Sequence, residues 1–392
     1  MRTRIGASWL LSALLLVACG GGDPDVPGSG SPSGAPTTKG AFTSIVSFGT
    51  SPSDIGTYAP ATSLSGNGQA PYFGGKFTTN SATGTVFVEN LAASLGLILT
   101  PAEVGFDGVS VKCPAAANPA LASTCTAYGQ AGARVTDPNG VGHDPVTGAG
   151  ALTVPLTKQI DNHLARFSSF KATDLILVEG GLNDLFIAFG TFGATAAGIT
   201  DPVGSDAYNQ KLFVAQTAAQ AAMKQAALEL AGYVRVKILA NGGKYVAVAT
   251  IPDLGNTPFG NSAQVQPAKS VLTDLSRIFN LWLREGLTGQ PVQIIDFYDI
   301  FNTVTADPAR YGFANATVPA CDAAKISVIT GGAVTSGSSL FCNSTVGAPY
   351  YGLRDGADPI TWFFADSVHP TTGGHKLLSD GVTQLLTGFG WI

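Results

Sequence analysis

The sequence predicts an α/β protein, a three-layer α/β/α sandwich whose mostly parallel central sheet is covered by helices on both faces. Three observations lead there. Short runs of apolar and β-branched residues recur along the chain, longer helix-compatible stretches separate them, and polar clusters stand directly after the runs. Alternation of this kind implies a parallel sheet buried on both sides, with its ligand site off the carboxyl ends of the strands.

Taken in order, strands are expected over 44–48, 109–111, 175–178, 245–251 and 293–297, each an apolar run ending in turn residues. Helices are expected over 82–95, 152–167, 207–241 and 266–285. The alanine-rich 207–241 stretch reads as a covering helix. His163 falls in the amphipathic 152–167 stretch and is expected at its surface or as a cap, while His375 is expected to begin the final helix near the site entrance. The segment 302–362 shows no regular pattern and is the expected seat of specificity.

The N-terminus has a different character. Met1-Arg2-Thr3-Arg4 is basic and residues 9–18 are apolar, too short a run to cross a bilayer but of the length used in export leaders. Leu16-Val17-Ala18-Cys19 matches the bacterial lipobox, so residues 1–19 are expected to be a lipoprotein signal and Cys19 the lipidated residue. Gly20, in place of aspartate after the cysteine, directs the expectation to export through the inner membrane and anchoring at the outer membrane of a Gram-negative bacterium. Residues 20–40 are Gly, Ser, Pro, Asp and Thr with almost nothing apolar, a flexible linker. Residues 41–392 then form one domain.

Composition narrows the function. Charged residues make up 12% of the chain and the formal net charge is −5, which supplies no basic patch for a polyanion and argues against nucleic acid as a partner. With Cys19 assigned to lipid, Cys113, Cys125, Cys321 and Cys342 remain; their even number and local grouping suggest disulfides Cys113–Cys125 and Cys321–Cys342, other pairings being open. No Cys-x-x-Cys or nearby histidine supports a zinc site, and neither metal nor cofactor is expected.

The residues that carry chemistry lie far apart. Ser51 follows the first predicted strand, and Asp366-Ser367-Val368-His369 near the C-terminus places a carboxylate three residues before a histidine. Histidine can take the proton of a serine nucleophile when a carboxylate fixes its tautomer, so Ser51, His369 and Asp366 are the parts of a hydrolytic triad. Asn183 and Asp184 follow the 175–178 strand through Glu179-Gly180-Gly181-Leu182, and Asp54 stands beside the serine; both aspartates are expected to organise their turns. His143, in a polar glycine-rich loop, reads as a loop residue.

Ser51 in Phe48-Gly49-Thr50-Ser51, Gly132 in Gly129-Gln130-Ala131-Gly132, Asn183 in Gly181-Leu182-Asn183-Asp184 and His369 in Asp366-Ser367-Val368-His369 together resemble the four blocks of the GDSL, or SGNH, hydrolases. The resemblance implies a flavodoxin-like SGNH-type sheet. It also implies a serine carboxylic-ester hydrolase of esterase, lipase or lysophospholipase type, with Ser51, Gly132 and Asn183 as oxyanion donors and a small-molecule or lipid ester as substrate. A carbohydrate O-acetyl esterase with the same triad is the alternative. The motif itself departs from the family, since Gly-Asp-Ser-Leu is here Gly49-Thr50-Ser51-Pro52. Thr50 can replace only part of the aspartate's acceptor capacity, which keeps a weakly active or non-catalytic binding lipoprotein in view.

Overall fold

The computed structural model describes residues 39–62 and 75–392; the leader, Cys19 and most of the linker lie outside the described residues. Its strands in chain order are β1 (Ser44–Phe48), β2 (Thr100–Pro101), β3 (Glu103–Phe106), β4 (Val109–Lys112), β5 (Cys125–Ala127), β6 (Asp174–Val178), β7 (Tyr245–Ala249) and β8 (Gln293–Ile295). The α-helices are α1 (Ala59–Thr62), α2 (Phe87–Ser94), α3 (Leu156–Phe167), α4 (Leu182–Ala197), α5 (Asp206–Tyr233), α6 (Lys269–Leu287), α7 (Phe297–Ala306), α8 (Ala323–Ile329) and α9 (Thr372–Gly388).

A six-stranded sheet has the order β2-β5-β1-β6-β7-β8, and every pairing in it is parallel. Leaving aside the two-residue edge strand β2, the chain winds outward from β1 first to β5 and then to β6, β7 and β8. The winding direction reverses beside β1, which is where such sheets open a crevice for ligands. Phe48 pairs with Val178 in the β1–β6 register, so the residues that follow them, Gly49 and Glu179, leave the sheet side by side.

Alternation along the strands builds two cores. Val46, Phe48, Ile176, Val178, Val246 and Val248 face α3, α4, α5 and α6, while Ile45, Leu175, Leu177, Tyr245, Ala247 and Ala249 face α2, α7 and α9. The Val, Leu, Ile and Phe side chains among them stabilise the fold by about 1.5–3 kcal/mol each when fully buried.

Several boundaries move for local reasons. The helix expected from residue 82 starts only at Phe87, because the preceding loop is fixed by the Asn80 amide, which donates to the carbonyls of Lys76, Thr78 and Ser339. Pro155 is the N-cap of α3, which trims the 152–167 prediction to Leu156–Phe167. The 207–241 prediction becomes α5, a π turn at Val234–Ile238 and a 3-10 turn at Leu239–Asn241. The 293–297 strand ends at Ile295 because Asp296 caps α7 by accepting from the Asp299 N–H. The 109–111 run forms β4 of an exposed antiparallel hairpin with β3, apart from the main sheet.

His163 departs from the expected surface position. It is buried on the inner face of α3, stacked on Phe170 at 4.4 Å between ring centroids and edge-on to Phe48 and Tyr128. Burial pulls its pKa down to about 4, so it serves as a neutral aromatic core residue.

Cys113–Cys125 and Cys321–Cys342 are both disulfides. The second holds the turn Ser339–Phe341 against the loop that carries Asp366, whose carboxylate accepts from the Ser339 N–H. Replacing both members of either pair by serine is expected to cost about 2–4 kcal/mol, read as a lower melting temperature. Only loss of the Cys321/Cys342 pair should also loosen the Asp366 loop, because only that bridge restrains a partner of Asp366.

Candidate active site

Three loops meet where the sheet opens. Ser51 sits in a 3-10 turn, Ser51–Ser53, immediately after β1, with Pro52 setting the helical φ. Gly132 lies on the loop after β5. Asn183 is in the first turn of α4, a helix that starts directly after the Gly180-Gly181 turn beyond β6.

The C-terminal loop delivers the remaining parts. His369 Nε2 lies 2.8 Å from Ser51 Oγ, and its Nδ1 lies 2.8 Å from Asp366 Oδ2 and 2.9 Å from Oδ1. A carboxylate only accepts, so Nδ1 carries the hydrogen and Nε2 turns its lone pair to the serine hydroxyl. Asp366 also accepts from the backbone N–H groups of Ser339, Val368 and His369. Burial alone would raise its pKa, but the neighbouring His369 and these hydrogen bonds outweigh burial and hold the carboxyl well below the usual carboxylate range.

His369 is held from behind as well. The Phe77 ring lies 4.7 Å from the imidazole, and the Phe77 carbonyl accepts from His375 Nε2 at 3.2 Å. His375 is fully buried within α9, away from any entrance, with Nδ1 accepting from the Phe87 N–H; burial lowers its pKa to about 3 and keeps it neutral.

Gly132 has φ of +83°, and a Cβ there would collide with the Val141 carbonyl, so only glycine fits this turn. Among the described residues no acceptor takes the Ser51 or Gly132 N–H. The Asn183 amide donates to the Ala133 carbonyl at 2.8 Å, which orients it and leaves its second hydrogen for another acceptor.

Buried carboxylates clamp these loops to one another. Asp54 accepts from Gly56 and Thr57 with one oxygen and from the Ala131 N–H with the other, joining the nucleophile turn to the glycine loop. Asp184 accepts from the Val135 N–H and from Arg134 Nε, joining that same loop to α4. Asp54 organises its own turn as expected and reaches across to a second loop besides, while Asp184 directs its bonds to that second loop. Gln159 closes the ring by accepting from the Gly49 N–H and donating to the Gly49 carbonyl. Neither Glu179 nor Gln159 stands out in the sequence, since each meets its partner more than 100 positions away.

His143 stays in its loop, with Nδ1 on the Ala151 carbonyl. Among the described residues no three His, Cys, Asp or Glu side chains gather as metal ligands. A groove of about 970 Å³ runs between α4 and α5 from Arg134 and Asp184, but none of Ser51, Asp366 and His369 lines it.

A serine, histidine and aspartate linked in this way is the arrangement on which serine hydrolases are built. The family model for GDSL-like lipase/acylhydrolase matches residues 45–382, and the chain belongs to that family. It is 32% identical to the Esterase EstA of Pseudomonas aeruginosa over 147 residues, 37% of this chain and 20% of that protein. A protein of Arabidopsis thaliana described as a GDSL esterase/lipase is 31% identical over 120 residues, 29% of this chain and 27% of its own length. Each match thus spans about a fifth to a quarter of the relative.

The Asp366 carboxyl fixes a pH dependence. Its folded pKa lies below the unfolded 3.8, so the unfolded chain binds the proton more readily, and the stability it contributes is present above pH 3.8 and lost as pH falls below it. Denaturant titrations of wild type and Asp366→Asn should therefore converge as pH is lowered through that window. A stability difference that stays constant down to the acid limit would contradict the hydrogen-bonded geometry of Asp366.

Proposed function

We propose that this protein hydrolyses carboxylic esters through an acyl-enzyme on Ser51. The observation that carries the reading is the continuous link from Ser51 Oγ through the imidazole of His369 to Asp366. Ser51 Oγ attacks the ester carbonyl as its proton passes to His369 Nε2, and Asp366 steadies the imidazolium that forms. The Ser51 and Gly132 N–H groups and the Asn183 amide donate to the oxyanion of the tetrahedral intermediate, donors whose individual loss typically costs about 10²–10³ in turnover. The intermediate collapses as His369 returns the proton to the leaving alcohol. Water, deprotonated by the same nitrogen, then releases the acid and restores the serine.

An apolar cluster adjoins the triad loop. Phe186 lies three residues beyond Asn183 on the same side of α4, packs 5.3 Å edge-on against Phe259, and Phe259 donates its N–H to the carbonyl of Ser367 beside the triad loop. Val368 is partly buried in the same cluster. Apolar surface of this kind beside the triad loop favours an aliphatic acyl group over an acetylated sugar. The aromatic residues Tyr72 and Phe73 lie outside the described residues.

The remaining organisation follows from the sequence: a hydrolase domain over residues 41–392, tethered by the 20–40 linker to lipid on Cys19 at the outer membrane, within reach of lipid or exogenous esters.

A p-nitrophenyl ester series of increasing acyl length tests the reading. Wild type should turn over the series, and Ser51→Ala and His369→Ala should each lose about 10³-fold or more while remaining folded by circular dichroism. Turnover that survives both substitutions would remove these residues from the site, and acetylated polysaccharide as the sole substrate would favour the carbohydrate alternative.

A further inference from the structure

Thr50, where the family motif has aspartate, is fully buried and uses both of its donors on one partner. Its backbone N–H donates to Glu179 Oε1, and its hydroxyl donates to Glu179 Oε2 at 3.0 Å. Glu179 is 8% exposed and leaves the sheet from the neighbouring strand, its own N–H bonded to the Phe48 carbonyl. A Cβ at Gly49 would collide with Glu179 Oε1, so the glycine before Thr50 is what lets the carboxylate close on the turn.

We propose that Glu179 is a positioning residue for Ser51, forming with Thr50 a donor–acceptor pair that fixes the nucleophile turn from the adjacent strand. Thr50 is then no remnant of a lost aspartate. The carboxylate needed at this place stands at the end of β6, and position 50 supplies the hydroxyl that it requires. An acid at position 50 would set two carboxylates together in a buried site, where like charges and an unfilled donor count both oppose it. The burial that raises the Glu179 pKa shows how little solvent is available to relieve such a clash.

The kinetic test of this pairing rests on the esterase reading, and a second test rests on stability alone. With p-nitrophenyl esters, T50D should lower kcat by at least about tenfold at nearly unchanged KM, since a misplaced nucleophile weakens chemistry more than binding. T50D/E179Q should recover most of that loss, because the amide introduced at position 179 can donate to the carboxylate introduced at position 50 while its carbonyl still accepts the backbone N–H. T50S should retain wild-type turnover, and T50V should lose it as T50D does, a check that remains should T50D fail to fold. In thermal unfolding, T50D and E179Q should combine to less than the sum of their single effects, a coupling readable without any substrate. A T50D enzyme as active as wild type, or additive unfolding effects of the two substitutions, would overturn the pairing. Strong coupling in a chain that cleaves no ester would instead leave the pairing standing and sink the esterase reading.

Discussion

The site depends on one repeated interaction, a buried carboxylate on one loop accepting the backbone N–H of another. A parallel sheet delivers β1, β5 and β6 to the same edge, but the loops beyond their last ladder bonds have no partner in the sheet. Asp54 grips Ala131, Glu179 grips Thr50, Asp184 grips Val135 and Asp366 grips Ser339. Each hydrogen bond to a charged acceptor contributes roughly 1.5–3 kcal/mol, and each buried carboxylate carries a desolvation cost that such bonds must offset. The loops after β1, β5 and β6 are consequently tied to one another, and the Asp366 loop to the Ser339–Phe341 turn.

The four carboxylates divide by what else they face. Burial raises the pKa of Asp54, Glu179 and Asp184, whose partners are chiefly neutral donors, with Arg134 added at Asp184. Asp366 alone is held low, and its carboxylate is the one hydrogen-bonded to the His369 imidazole. The same chemical group thus serves as a mechanical clamp at three places and as an electrostatic partner at the fourth.

Much of the plan is legible in the sequence because it is local. The apolar runs of β1, β6 and β7 and the Asp366–His369 spacing need no knowledge of distant residues. The missing parts are those whose cause lies across the fold. The three residues of β5 are too short to register as a strand, although Cys125 fixes their end by a disulfide. Helix α4 begins directly at Leu182 and beyond Asp184 is apolar on most sides, so it lacks the stripe by which amphipathic helices are recognised. His163 sits in a helix whose polar composition suggests exposure, yet the sheet turns that face inward. Thr50 reads as a weakened acceptor until Glu179 appears opposite, after which it is a donor.

The proposed catalysis requires Ser51 to be a nucleophile activated by His369, and covalent capture tests this most directly. A p-nitrophenyl alkylphosphonate should add one phosphonyl group to the intact protein, mapped by peptide mass spectrometry to Ser51, with labelling suppressed in His369→Ala. Labelling at another residue, or equal labelling of Ser51 without His369, would contradict it.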